Sequence, residues 1–147
     1  MTMNYGQALA LSSISVPEHL EAEAEVPVLT VPQAQGDLMI VPVDLAYEGT
    51  EQTPFWPRGK IIPLEGVQVV HGEATGNTHW LHAGFNSPGV LWHRADAGLV
   101  VGVVTVPRGQ TAMLVHTDEH GANGIGEGVY EIRQKRELAD EIRYVED

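Results

Sequence analysis

Seven short runs of β-branched and apolar residues limit the folds open to this chain more than any other feature: Asp37–Val43, Gly66–His71, Val90–His93, Leu99–Val106, Thr111–His116, Val129–Gln134 and Ile142–Val145. Spacings of roughly 8–14 residues, with turn clusters such as Asn86–Gly89 and Arg94–Gly98 between runs, suit an all-β barrel or sandwich better than βαβ units. No helix longer than three turns is expected. The stretch Arg133–Arg143 is helix-compatible by composition but lacks an apolar stripe, so it reads as a turn leading to a final strand.

The chain has 147 residues and no Cys. That length suits one domain, which buries roughly two thirds of the surface its unfolded chain exposes. Without Cys there is no disulfide, thiolate metal site or Cys nucleophile, so any chemistry rests on His and carboxylates. Eight basic residues against twenty acidic ones give a net charge of −12. That balance repels phosphate backbones and anionic lipid, which argues against nucleic acid as a partner. The longest apolar run, Leu99–Val106, is far short of the ~20 residues that span a bilayer. Met1–Ser13 has no Lys or Arg and too short an apolar stretch for a signal peptide, so a soluble protein is expected.

Charge divides the chain. Met1–Trp56 carries no Lys or Arg but eight acids: Glu18, Glu21, Glu23, Glu25, Asp37, Asp44, Glu48 and Glu51. Residues 1–35 are therefore read as an acidic N-terminal arm and 36–147 as the β-domain. Ser15-Val-Pro-Glu18 has the form of a capping box, which predicts a short helix over about Pro17–Ala24. Pro27 and Pro32 confine the run Val26–Val31 to a sheet edge or an extended arm.

His116-Thr-Asp-Glu-His120 is the segment richest in chemistry, with two imidazoles and two carboxylates in five residues. As a strand it would place His116, Asp118 and His120 on one face, and as a helical loop it would bring His116 and His120 together with Glu119 nearby. A zinc-like ion needs a further ligand, for which His79 is the best candidate. The expected divalent-metal set is thus His79, His116, Glu119 and His120. The plainer alternative is a polar turn between two strands. His71, His82 and His93 stand beside Val, Leu and Trp and read as partly buried, hydrogen-bonded imidazoles, while His19 reads as a surface residue.

Gly36-Asp37-Leu-Met-Ile-Val-Pro-Val43, Gly72-Glu-Ala-Thr-Gly-Asn-Thr-His79, His116-Thr-Asp-Glu-His120 and Tyr130-Glu-Ile-Arg-Gln-Lys-Arg-Glu137 occur in that order. In this the chain resembles a group of small uncharacterised bacterial and phage-type proteins with G-E-x-T-G-H-x-H and H-x-E-H motifs and a terminal tyrosine strand. The resemblance covers roughly residues 36–147 and implies no activity. It implies a cytoplasmic location if the protein is cellular and a virion location if it is phage-encoded. Asn77 stands where the group has the first His of its pair, although an amide oxygen still ligates a hard ion. Gly72 and His79 are also similar to part of a cupin metal motif, but the following Glu is missing and Pro107-Arg-Gly109 lacks a His three residues on.

No G-x-S-x-G elbow, Walker loop or H-E-x-x-H helix is present. Gly121–Gly128 is glycine-rich but has no Lys, and it reads as a wide turn. Two classes of function remain. The first is a non-catalytic structural, assembly or binding protein, for example a capsid-decoration-like or scaffold-attached module, engaging a protein partner or a second copy through the N-terminal arm. The apolar residues Tyr5, Leu9, Leu11, Ile14 and Leu20, which a disordered linker has no use for, favour it. The second is a metal-dependent enzyme in which the same His/carboxylate set activates water or a substrate oxygen.

Overall fold

Valine-rich alternation turns into strand wherever the described chain carries it, and the strands sort into two facing sheets. The computed structural model describes residues 2–12, 25–71, 78–116 and 121–134, with His71 by its backbone alone. In order these form α1 (Tyr5–Ala10), β1 (Val28–Leu29), β2 (Gln33–Gln35), β3 (Leu38–Pro42), α2 (Val43–Ala46) and β4 (Lys60–Ile61). There follow β5 (Val67–His71), β6 (Thr78–Ala83), β7 (Leu91–Ala97), β8 (Val100–Val106), β9 (Ala112–His116), β10 (Gly121–Ile125) and β11 (Gly128–Gln134). One sheet has the order β1-β10-β9-β6-β5 and the other β2-β3-β11-β8-β7-β4. The all-β expectation holds, in the form of a sandwich with a short N-terminal helix and without a closed barrel.

The expected helix at Pro17–Ala24 and strand at Ile142–Val145 lie outside the described residues. The helix that is seen, α1, begins on a capping box that sequence reading passed over. Asn4 Oδ1 accepts from Gln7 N–H at 2.8 Å, and Gln7 Oε1 accepts from Asn4 N–H at 2.9 Å. Ala8, fully buried, lies on the outer face of the five-stranded sheet beside Met3, Val26 and Met113, and Leu9 is fully buried as well. Tyr5 and Leu11 are partly buried there as well. Thus Tyr5 and Leu11 pack on the chain's own sheet and Leu9 is buried, while Ile14 and Leu20 lie outside the described residues. Val28 and Leu29 pair in parallel with Gly124 and Ile125 as an edge strand, as the flanking prolines require.

Gly121–Gly128 is not the wide turn its glycines suggested. Gly121–Ile125 is strand β10, held between β9 and β1, and only Gly126 and Glu127 turn. Tyr130 closes that turn by donating its hydroxyl proton toward the carbonyls of Gly126 and Glu127, at 2.9 and 3.0 Å.

The core lies between the sheets, with Leu81, Leu114 and Ile125 facing Ile40, Trp92, Val104, Tyr130 and Ile132. Within it the Trp92 ring lies over Gly102, where an added Cβ would come 2.2 Å from Trp92 Cη2. Gly102→Ala should therefore cost about 1–3 kcal/mol, because the ring must leave its place in a packed interior. A urea midpoint unchanged from the parent would contradict that reading.

The two lateral openings of the sandwich are closed by polar side chains. On one side Gln33 Nε2 donates to Gly124 O at 2.8 Å and Gln35 Nε2 to Leu114 O at 2.6 Å, tying β2 of one sheet to β9 and β10 of the other. On the opposite side Arg94 of β7 donates to Gln68 O and Val69 O, at 2.9 and 2.7 Å, where β5 carries an irregularity in register. Between β3 and β4 the chain travels from near one edge of the six-stranded sheet to the other, and residues 43–59 make that crossing on its outer face. Among the described residues no helix is long and apolar enough to cross a membrane.

Candidate functional site

Among the described residues, buried ionisable side chains stand in three places of the sandwich. The first joins two of the predicted ligands. β6 and β9 pair so that His79 stands directly opposite His116, and both are buried, at 3% and 2% exposure. Their rings stack with centroids 4.1 Å apart and planes 11° from parallel. The strand alternation that sends Leu81 and Leu114 into the core sends this pair to the same inner face. There they meet the β2–β3 turn at Gly36, which has φ +54° and where a Cβ would lie 2.8 Å from His116 Cε1. Only glycine suits both that backbone and that contact.

Gln35 fixes the His79 tautomer. Its Nε2 donates to Leu114 O at 2.6 Å and to Asn123 Oδ1 at 2.8 Å, so its Oε1 is the acceptor facing His79 Nδ1 at 2.9 Å. His79 Nδ1 therefore carries the proton and Nε2 the lone pair. Burial, and then the neighbouring His116, pull the His79 pKa down to about 4, against a smaller opposite effect of Asp37. At neutral pH the ring is an uncharged base, which is the protonation state a metal ligand needs. The stacking is less favourable to ligation. Imidazole lone pairs lie in the ring plane, and two near-parallel stacked rings do not converge on one point ~2.0–2.1 Å from both, so joint ligation requires one ring to turn. Glu119 and His120 lie outside the described residues, and among the described residues no group of three or more His, Cys, Asp or Glu side chains gathers as a metal set.

The second place is on the outer face of the five-stranded sheet. His82 is 2% exposed, and its Nε2 lies 2.8 Å from Ser12 Oγ just beyond α1. Burial lowers its pKa. His82 also forms part of the wall of an apolar groove of about 810 Å³, together with Leu11, Ile61, Ile62, Leu64 and Pro88. The expectation of a partly buried, hydrogen-bonded imidazole holds for His82 at Nε2, but the ring is fully buried and its Nδ1 has no hydrogen-bond partner among the described residues. His93 is half-buried with its ring 6.3 Å from that of Trp56.

The third place was not anticipated. Glu131 on β11 is 0% exposed, and both oxygens are occupied. Oε2 accepts from Tyr47 O–H at 2.6 Å and from Trp56 Nε1–H at 2.8 Å, while Oε1 accepts from Arg133 Nε and Nη2 at 2.8 and 2.6 Å. Arg133 in turn lies over the Tyr47 ring, 5.7 Å from its centroid. Tyr47 and Trp56 both belong to the segment that crosses the outer face, so Glu131 is the anchor of that crossing. The one sequence sign was a Glu and an Arg two residues apart on the same face of a strand, a pattern common on solvated strands.

A family model described as a domain of unknown function (DUF8820) matches residues 34–135. No curated protein and no solved structure matches the chain.

Proposed function

The chain belongs to the DUF8820 family, and from the geometry of its own residues we propose that it is a non-catalytic assembly or binding protein, a β-sandwich that attaches to a protein surface. The observation that carries this reading is the apolar groove beside His82, whose wall includes side chains standing in water: Leu64 is 101% exposed and Ile61 62%. Contiguous exposed apolar surface marks a place that another macromolecule covers. The buried polar groups also serve structure, since Glu131 is consumed by the crossing segment and Gln35 by the bond between sheets. Within this reading the chain is a capsid-decoration-like or scaffold-attached module. A structural divalent ion at His79, His116, Glu119 and His120 accompanies this reading, supported by the neutral His79 ring with Nε2 free of the Gln35 bond.

One experiment addresses both parts: native mass spectrometry and light scattering over a range of concentration, with metal analysis of the same samples. The wild-type chain should associate, and Leu64→Glu should abolish association without lowering the melting temperature, because Leu64 is fully exposed in the isolated domain. His116→Ala should lower metal occupancy and melting temperature together, since binding to the folded state adds stability by mass action. A chain that stays monomeric and shows metal-dependent turnover, lost in His116→Ala, would replace the assembly reading with the metalloenzyme. A metal-free protein whose melt ignores chelator would remove the ion alone.

A further inference from the structure

The described residues contain five Lys and Arg, namely Arg58, Lys60, Arg94, Arg108 and Arg133, and three of the five line one cleft. Arg58, Lys60 and Arg94 surround a space of about 400 Å³ floored by Trp92 and His93. In a chain of net charge −12 this is a local reversal of sign. Arg94 is partly committed, to the carbonyls of Gln68 and Val69 and to Asp96 at 3.3 Å. Arg58 and Lys60 are exposed and make no ion pair among the described residues. Glu65, exposed, lies nearby in sequence on the loop that follows β4.

The cleft borders an open sheet edge. β4 pairs with β7 on one side, Lys60 with Trp92 and Ile61 with Leu91, and among the described residues has no strand on the other. Ile61 and Pro63 line both this cleft and the apolar groove, so cationic and apolar surfaces meet along β4. A lysine on an edge strand opposes pairing with a second copy of the same edge, because the two like charges would face each other. It favours a strand of opposite charge.

We propose that the free edge of β4 receives an extended acidic segment of another protein, which adds a strand to the six-stranded sheet. Its backbone pairs with β4, its carboxylates meet Arg58, Lys60 and Arg94, and its alternate apolar side chains lie toward Ile61 and the groove. This rests on the reading of the chain as a binding protein and names the class of partner. The chain's overall negative charge repels such a segment at long range. Screening over ~8 Å at physiological salt limits that repulsion and leaves contacts inside the cleft to decide affinity.

The probe is a short synthetic peptide alternating Glu and Val, titrated onto the full chain and followed by tryptophan fluorescence, with Gln replacing Glu in a control peptide. The acidic peptide should bind and the Gln peptide should not. Arg58→Glu and Lys60→Glu, both exposed and expected to melt like the parent, should each weaken binding by about tenfold or more, as charge reversal at a close pair does. N-methylating alternate backbone nitrogens of the peptide should abolish binding in one of the two registers, since only one set faces β4. Equal binding of the Gln peptide, indifference to both charge reversals, tolerance of both N-methylated registers, or tighter binding of a single-stranded oligonucleotide would each overturn the proposal. If the peptide fails while association through Leu64 is seen, this inference falls and the assembly reading stands.

Discussion

Replacing Glu131 by alanine should destabilise the fold by about 3–5 kcal/mol, the range for removing one partner of a buried ion pair. The carboxylate has no exposed surface and holds the tyrosine hydroxyl, the indole N–H and the guanidinium of three other residues. Its loss strands Arg133 without its counter-charge and leaves two further donors unsatisfied, each at a desolvation cost of roughly 1–3 kcal/mol unless water reaches it. The crossing segment 43–59 should loosen first, because Tyr47 and Trp56 are its bonds to the sheet. Urea denaturation gives the free energy, and hydrogen exchange shows whether amides of 47–56 lose protection before those of β8 and β11. A loss below about 1 kcal/mol, or uniform loss of protection, would mean that the segment is held by other contacts.

Acid should weaken the protein well before its carboxylates titrate. The folded-state pKa of His79 is about 4 against the ordinary imidazole value of 6.5, so between those values the unfolded chain binds a proton that the folded chain refuses. Stability from this group is fully present above pH 6.5 and is lost as pH falls toward 4. The whole loss is about 3 kcal/mol, and roughly 2 kcal/mol of it falls between pH 6.5 and 5, above the range where ordinary Asp and Glu protonate. His82, also lowered by burial, acts in the same direction. Urea midpoints measured in chelator at several pH values test this, with His79→Gln as the control. A flat profile from pH 7 to 5 would show that neither ring resists protonation in the fold, and the same slope in His79→Gln would show that His79 does not.

Local chemistry was enough to read much of this architecture. β3, β5, β8, β9 and β11 fall on the Val-rich runs, because β-branched side chains on a pleated surface declare themselves residue by residue. The prolines around β1 likewise declare an edge. β10 is the opposite case: Gly-Ala-Asn-Gly-Ile has no strand preference of its own, and pairing with β9 and β1 on either side holds it extended. β6, Thr-His-Trp-Leu-His-Ala, was hidden because it has no run of β-branched residues, and pairing with β5 and β9 on either side places it in the sheet.

The candidate site divides in the same way. Sequence supplied the imidazoles of His79 and His116, whose side chains are distinctive wherever they occur. That they lie face to face follows from the antiparallel register of β6 against β9, a pairing 37 residues apart that no local pattern encodes. The same holds for Gln35 and Asn123, ordinary amides until two sheets bring them to His79, and for Glu131, which resembles any solvated strand carboxylate until residues 43–59 cover it. Residue type and periodicity determine which segments become strand and which groups can ionise. Which of those groups leave water, and what they then face, depends on contacts between distant segments, and only the tertiary structure decides that.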